Sequence, residues 1–304
     1  MMNSLKNRRE FLKISGAGAL GMMILSQQAC QSPAVTKKSF GVGIQLYTIR
    51  DAMTADALGS LKKVSDLGFK NLELASYSDG KFYGYTAKEF KKIVADLGMD
   101  IPSSHTQVES KGITIDNAKK MADDHAELGV KYCVMPWVNE VDRNVETYKR
   151  MVGDWNQVGK IMKEAGIQFA YHNHNFEFAT IDGVVPYYDI FMKEMDADLI
   201  KLELDLFWAN KAGQNPVEMF KKYPGRFHLL HMKDMLSKQE PFYTIIKDDI
   251  APVGTGVIDF NAILAAKEVA GVKYLFVEDD NQGNGKAFES IETSINNLTT
   301  KILV

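Results

Sequence analysis

Histidines and carboxylates recur in this sequence at the ends of short apolar runs, where a buried strand would meet a loop. Alternate residues of a strand point to the same side, so His172 shares a side with His174, and Glu203 with Asp205. A carboxylate inside a packed core is costly unless it is paired or bound to a metal ion. The pattern therefore predicts that these groups converge at one end of the fold and hold a cation there. The side chains concerned are Glu73, His105, His172, His174, Glu203, Asp205, His228, His231, Lys233, Asp234, Glu278 and Asp279.

The elements that position these residues are marked by a recurring phrase: the end of an amphipathic helix, a glycine, and a short apolar strand. Its first four glycines, Gly68, Gly98, Gly129 and Gly166, lie 30, 31 and 37 residues apart, and Gly271 repeats the phrase. Glycine supplies the left-handed residue that ends a helix. Strand and helix alternating at this period are typical of βα units that build a parallel sheet. We therefore predict an α/β protein, a single (β/α)8 TIM barrel over residues 40–304.

Eight apolar runs fit the strands of such a barrel, and most are near-continuous, as expected where both faces of a strand are buried. The predicted strands are 41–50, 69–75, 100–107, 131–138, 167–174, 199–209, 226–234 and 273–280. Thr86 and Glu89 have the spacing of a capping box in front of a helix. A further helix is predicted by an apolar stripe that consists of Tyr148, Met151, Trp155, Val158 and Met162.

Charge and cysteine content narrow the classes of partner. The 304 residues carry a formal charge of −3, and setting aside the three surplus positive charges of residues 1–34 leaves about −6. An acidic chain without long basic runs is a poor ligand for nucleic acid or for an anionic membrane surface. Cys30 and Cys133 provide no disulfide framework in the body of the chain and no CxxC metal site. Because Cys133 lies in an apolar run, we predict a small buried side chain there.

The first 34 residues have the composition of a targeting segment. The sequence RREFLK at 8–13 resembles the motif of twin-arginine export signals, and the weakly apolar stretch 14–25 is too short to span a bilayer as a helix. Ala29 before Cys30 resembles a lipoprotein cleavage site, whereas cleavage after Ala34 would release a soluble protein. The resemblance implies an exported protein, periplasmic or lipid-anchored at the membrane, with attachment at Cys30 slightly favoured.

From about residue 40 to the C-terminus, the chain resembles the xylose isomerase-like TIM-barrel superfamily of sugar isomerases and epimerases. The resemblance is carried by LDLFW at 204–208, LHMKD at 230–234, VGTGVIDF at 253–260 and Glu278. In that superfamily one divalent metal is held by Glu, Asp, His and Glu from strands five to eight. The resemblance thus implies a metal site at the strand ends of this chain.

The metal ligands of that superfamily carry over onto Asp205, His231 and Glu278 by motif. The strand-five glutamate does not carry over cleanly, because relatives have a pattern like LExH where this chain has YHNH, with His172 at that place. Glu177, five residues later, is our choice for the missing carboxylate. His172 is the alternative ligand.

The resemblance implies an enzyme of sugar chemistry that uses one divalent metal, Mn²⁺, Mg²⁺, Co²⁺ or Zn²⁺. Such a metal on the carbonyl and neighbouring hydroxyl of a keto-sugar stabilises the enediolate formed on proton loss. Glu177 and Glu278 are expected to act as ligands and as proton-transfer groups on opposite faces of the substrate. The segment 237–252 is expected to cover the site. Side chains expected to bind substrate hydroxyls or to close the pocket are Gln45, His105, His172, His174, Trp208 and Lys233.

Three functions remain open from the sequence. The leading interpretation is an isomerase or epimerase of a sugar, keto-sugar or inositol derivative. A lyase or hydratase that acts on a 3-keto-glycoside would use the same metal-stabilised enolate, and a barrel that only binds sugar would need no metal. The expected partner is a small-molecule sugar or glycoside and not nucleic acid, while the identity of the sugar, a lipid anchor and a homo-oligomer are left open.

Overall fold

Eight parallel strands form a closed barrel in the computed structural model, which describes residues 41–106, 112–181 and 185–304. The order around the barrel is β1-β8-β7-β6-β5-β4-β3-β2, which returns to β1. This arrangement confirms the predicted TIM barrel and its eight strands, whereas the predictions for residues 1–34 lie outside the described residues. The barrel strands are β1 (Val42–Gln45), β2 (Asn71–Leu74), β3 (Asp100–His105), β4 (Tyr132–Met135), β5 (Gln168–His172), β6 (Ile200–Asp205), β7 (Phe227–Met232) and β8 (Tyr274–Val277).

Helices surround the barrel, and within the described ranges none is long and apolar enough to cross a membrane. They are α1 (Arg50–Ala55), α2 (Ala57–Asp66), α3 (Ala87–Asp96), α4 (Ile115–Leu128), α5 (Val145–Glu164), α6 (Tyr187–Glu194), α7 (Leu206–Lys211), α8 (Pro216–Lys222), α9 (Phe260–Ala265), α10 (Lys267–Ala270), α11 (Gln282–Gly285) and α12 (Ala287–Asn297). Short hairpins pair Lys81–Phe82 with Tyr85–Thr86, Thr180–Ile181 with Val185–Pro186, and Asp234–Met235 with Ile250–Ala251. Short 3-10 helical turns are Leu46–Ile49, Glu140–Asp142 and Phe176–Phe178, and Leu298–Ile302 is a π-helical turn.

The local signals of the sequence operate as predicted at helix ends. Helix α3 begins at a capping box, in which the Thr86 backbone N–H donates to Glu89 Oε2 at 2.9 Å and the Glu89 N–H to Thr86 Oγ1 at 3.4 Å. Helix α4 ends at Gly129, whose φ of 94° is a left-handed conformation that other residues adopt only at a cost. All five glycines of the repeated phrase have φ between 71° and 98°. The apolar stripe of α5 is buried except for Met151, which is half-buried.

All eight predicted strands extend past their observed ends, and the two that do so furthest are each ended by a site residue. The strand predicted over 41–50 stops at Gln45, whose side-chain oxygen accepts from the Tyr47 N–H at 3.0 Å and starts a tight helical turn. The strand predicted over 199–209 stops at Asp205, whose Oδ1 accepts from the Trp208 N–H at 2.9 Å and caps α7. Both corrections place a polar side chain at the carboxyl end of a barrel strand.

The lower interior of the barrel is an apolar floor, made by a cluster of buried side chains separate from the main core. Gly43 on β1 permits this packing, because a Cβ atom there would lie 2.5 Å from a ring carbon of Phe276. Cys133 lies outside that cluster, fully buried in the main core with its Sγ 3.3 Å from Thr106 Oγ1, as the prediction of a buried thiol requires. The apolar floor consists of Tyr132, Val134, Ala170, Leu229 and Phe276.

Candidate metal and sugar site

Directly above the apolar floor, the same strands present a polar layer. Two residues after Ala170, Leu229 and Phe276 come histidine, histidine and glutamate, which therefore point to the same side of their strands. The other members of this layer are less than 10% exposed, and the His105 side chain is 10% exposed. In a TIM barrel this end of the strands is where active sites lie. The polar layer consists of Glu73, His105, His172, Glu203, Asp205, His231, Lys233, Glu278 and Asp280.

His231 on β7 is at the centre of the polar layer. Its Nδ1 lies 2.6 Å from Glu278 Oε2, and its Nε2 lies 2.6 Å from Glu73 Oε2 and 3.2 Å from Glu203 Oε2. Burial alone lowers the pKa of His231, but the three carboxylates outweigh burial and raise that pKa well above its ordinary value. The ring thus joins carboxylates that belong to three other strands or strand ends.

Two further imidazoles converge on Glu203 of β6. His105 Nε2 lies 2.5 Å from Glu203 Oε2, and His172 Nδ1 lies 3.1 Å from the same oxygen. The other oxygen, Oε1, is buried and has no hydrogen-bond partner in the part of the chain that the structure describes. Burial, together with the charge of His231, lowers the pKa of His172 to about 3, so its ring is neutral at pH 7 and has a free lone pair.

Lys233 closes the other side of the layer. Its Nζ lies 2.6 Å from Asp205 Oδ2, 2.7 Å from Glu278 Oε2 and 2.6 Å from Asp280 Oδ2. Burial raises the pKa of Glu278, but Lys233 and His231 outweigh it and hold that pKa well below its usual range. Burial dominates at Asp205 and raises its pKa to about 6. Glu278 is therefore an ionised carboxylate at neutral pH.

The polar layer fits a divalent cation. Its members include five buried carboxylates, which outnumber the cations that Lys233, His231 and His105 can supply, and such an excess of buried negative charge needs a counter-ion. Two overlapping sets have all their ligand atoms within 4.8 Å of one another. The sets are His105, His172, Glu203 and His231, and Asp205, His231 and Glu278.

The outer hydrogen bonds favour ligands on the Asp205 side of the two imidazoles. His172 Nε2 and His231 Nδ1 each lie 3.8 Å from Asp205 Oδ2, while their opposite ring nitrogens contact Glu203 and Glu73. Metal-bound histidines commonly donate their second N–H to a carboxylate in this way. Oxygen ligands with imidazole suit Mn²⁺, Mg²⁺, Co²⁺ or Zn²⁺. The four residues that would hold the ion are His172, Asp205, His231 and Glu278.

Glu177 is not brought to the polar layer, which corrects its assignment as a ligand and proton-transfer group. Its Oε1 accepts from the Tyr171 hydroxyl at 2.6 Å, and its Oε2 accepts from the His174 backbone N–H at 2.8 Å. Tyr171 packs against Trp155 of α5, on the outside of the barrel. The tight turn Phe176–Phe178 directs Glu177 there, and burial raises its pKa to about 7. His172, the alternative, stands in the polar layer instead.

Of the other predicted substrate-binding residues, three lie at the polar layer and two lie beside the cavity or behind its wall. Gln45 donates to Glu73 Oε2 at 2.8 Å, and His105 and Lys233 belong to the polar layer. His174 lines the cavity beside Trp137, with ring centroids 4.8 Å apart, whereas Trp208 is fully buried behind it at 5.6 Å.

A cavity of about 440 Å³ opens above the polar layer, within the range of roughly 300–1,000 Å³ that small-molecule sites occupy. Two of its lining residues come from the segment predicted to cover the site. The lining residues are Tyr47, Ala75, His105, Pro136, Trp137, Asn139, His172, His174, Ile245, Lys247, Glu278 and Asp280.

Sequence reasoning gave no role to Glu73, Glu203 and Asp280, although the first two were among the strand-end carboxylates. The alternation of β6 already placed Glu203 on the side of Asp205. The contact between His105 and Glu203 joins residues 98 positions apart and crosses the barrel interior. Strand alternation identifies the layer, but only the closed barrel shows which members meet.

Comparison with known proteins agrees with this fold. The sequence model described as xylose isomerase-like TIM barrel matches residues 61–296, and the chain belongs to that family. A sugar phosphate isomerase/epimerase structure from Parabacteroides distasonis ATCC 8503 is 31% identical, with a TM-score of 0.74, covering 89% of this chain and 97% of that one. The IolI protein, crystallised with a bound zinc atom, is 19% identical with a TM-score of 0.69 over 86% and 98% of the two chains, which shows the fold alone.

Among curated proteins, the inosose dehydratase of Clostridium perfringens strain 13 is 27% identical over 145 residues. The match covers 44% of this chain and 48% of that protein, so the chain spans about half the length of the curated relatives it matches first. The family and the fold are therefore shown, and the described residues of this chain include a cluster that could bind a metal.

Proposed function

We propose that this chain is a divalent-metal-dependent enzyme that removes the proton beside the carbonyl of a keto-sugar or cyclitol ketone, and that elimination of an oxygen at the next carbon follows. The observation that carries this proposal is the polar layer itself. It presents neutral and carboxylate metal ligands beneath a cavity of sugar size. No packing requirement accounts for so many buried carboxylates.

A divalent cation held by His172, Asp205, His231 and Glu278 supplies Lewis acidity to the substrate carbonyl. Side chains of the polar layer carry out the proton transfer. Glu278 lines the cavity as an ionised carboxylate and is placed to accept the proton from carbon. Lys233 Nζ lies 2.7 Å from Glu278 Oε2, which fixes the position of this carboxylate.

The position of Glu177 favours elimination over epimerisation. Two-base epimerisation needs a second proton-transfer group on the opposite face of the substrate, and Glu177 was the residue expected there. Since both oxygens of Glu177 are engaged outside the barrel, Glu177 does not supply that group. The match to inosose dehydratases, which are lyases by name, supports the same choice.

Isomerisation or epimerisation is the second candidate. It is supported by the 31% identity to a structure named sugar phosphate isomerase/epimerase over 89% of this chain. Both candidates share the first step, proton removal beside a carbonyl, and differ in what happens to the enolate.

The test is proton exchange in D₂O, followed by NMR, with 3-keto-glucosides and inososes as substrates. We expect deuterium uptake at the carbon beside the carbonyl only when Mn²⁺ or Zn²⁺ is added, together with an unsaturated product. An epimer without an unsaturated product would establish the second candidate. Ligand binding without metal or exchange would instead support a non-catalytic sugar-binding barrel.

We also propose that residues 1–34 direct export by the twin-arginine route to the periplasm. Mass spectrometry of the mature N-terminus separates the two endings left open by the sequence. A lipid-modified Cys30 supports membrane attachment, and an unmodified start at Val35 supports a soluble periplasmic protein.

A further inference from the structure

The segment over the cavity, residues 236–249, is held down by groups from the barrel; we call it the strap. Asn175 donates from Nδ2 to the backbone oxygens of Phe242 at 2.9 Å and Thr244 at 2.8 Å. Lys211 of α7 forms a buried ion pair with Asp249 and donates to the backbone oxygen of Ile246 at 2.9 Å. These contacts lie on both sides of residue 245, so the strap has a defined position over the cavity.

The strap places Lys247 in the cavity wall together with Glu278. The Lys247 side chain is 35% exposed, and its Nζ lies 3.8 Å from Asp280 Oδ1, beyond hydrogen-bond distance. It also lies 5.6 Å from the ring centroid of Tyr47 across the cavity mouth. Its ammonium protons thus face the space that a substrate would fill.

We propose that Lys247 is the general acid that protonates the departing oxygen in the elimination, and this rests on the function proposed above. In the step, Glu278 takes the proton from the carbon beside the carbonyl. The electron pair of that C–H bond forms the new carbon–carbon double bond through the enolate, and the bond from the next carbon to its oxygen breaks. That oxygen takes a proton from the Lys247 ammonium, which solvent then restores.

Lys233 is not suited to this role. It is fully buried, and three carboxylates lie within 2.7 Å of its Nζ, so its protons are committed to holding Asp205, Glu278 and Asp280. It does not line the cavity among the described residues. Lys247 therefore combines a cation, access to substrate and a fixed backbone.

The test compares two 3-keto-glucosides that differ in the group leaving carbon 1, methanol or p-nitrophenol. Methoxide needs a proton to depart, whereas p-nitrophenolate does not. For Lys247→Met we expect kcat on the methyl 3-keto-glucoside to fall by about 100-fold or more, because general acids typically accelerate a reaction by that factor. On the p-nitrophenyl glucoside we expect less than about a fivefold change, and exchange of the carbon 2 proton with D₂O continues on both.

Lys238→Met is the matched control, because Lys238 lies on the same strap but is exposed to solvent. It should leave both substrates unaffected. An equal loss on both substrates in Lys247→Met, or no loss on the methyl glucoside, overturns the assignment. If the wild type exchanges no proton at carbon 2, enolisation itself fails and the assignment to Lys247 falls with it.

Discussion

The lower and upper halves of one barrel interior differ completely in chemistry although the same strands build both. Leu229 and His231 are two residues apart on β7 and point to the same side. Leu229 belongs to the apolar floor, whereas His231 contacts three carboxylates. The floor gives folding what it needs at this level of the barrel, namely dense packing without unpaired polar groups.

The polar layer adds nothing that folding requires. Buried charge is costly, and a layer with five carboxylates lowers stability unless a cation compensates it. The comparison teaches that the lower half should determine the free energy of unfolding, and the upper half the metal content and turnover. The first two changes below are each expected to affect one half and not the other, and the third concerns a buried carboxylate outside both halves.

The largest effect is expected for Glu278→Gln in the polar layer. The amide cannot accept the substrate proton and is a weaker ligand, so kcat should fall by at least about 10³-fold. Turnover assays with circular dichroism check this, with Glu292→Gln on the exposed face of α12 as control. Retained activity with an intact fold would remove Glu278 from the mechanism.

The next effect concerns Leu229→Ala in the apolar floor. Truncating a fully buried leucine leaves a cavity and should reduce the free energy of unfolding by about 2–5 kcal/mol. Denaturant titration measures this, and metal content per folded chain should not change. Loss of metal in this variant would mean that the two halves are not separable.

A smaller, pH-dependent effect is expected for Glu177, a buried carboxylate whose pKa is raised by burial more than it is lowered by the charge of Arg143. Burial raises its folded-state pKa to about 7 from 4.5, so its protonated form favours folding below pH 4.5, and that contribution is lost as the pH rises through 7. The loss is at most about 3 kcal/mol. Relative to wild type, Glu177→Gln should therefore be more stable at pH 8 than at pH 5.

Denaturant titrations at the two pH values test this, with Glu292→Gln again as the control. A stability difference between Glu177→Gln and wild type that does not vary with pH would show that Glu177 is ionised throughout. Glu177 would then be ionised at neutral pH, as Glu278 is, although among the described residues no ammonium contacts it as Lys233 contacts Glu278.

The eight strands could be predicted because they are mostly apolar runs, and five of them follow a helix-ending glycine; both signals are local. The strand ends at Gln45 and Asp205 could not, since they depend on side-chain capping of the next turn. The choice of Glu177 over His172 failed for a similar reason. Five residues of separation do not reveal that the turn Phe176–Phe178 carries a side chain out of the barrel.

The contacts between side chains of the polar layer could not be predicted from the sequence either. Glu73 and His231 lie 158 residues apart, and their contact at 2.6 Å exists only because the barrel closes with a particular stagger of its strands. Residue type and alternation thus predict that polar groups share one end of the barrel. They do not predict which nitrogen meets which oxygen.

The most direct test of the central claim is metal content measured by elemental analysis on purified wild type, His231→Gln and Leu229→Ala after loading with Mn²⁺ or Zn²⁺. His231 belongs to both candidate ligand sets, and Leu229 is its neighbour in the floor. We predict about one divalent ion per chain in wild type and Leu229→Ala, and loss of that ion in His231→Gln. No bound metal in the wild type, or equal metal in all three proteins, would contradict the account.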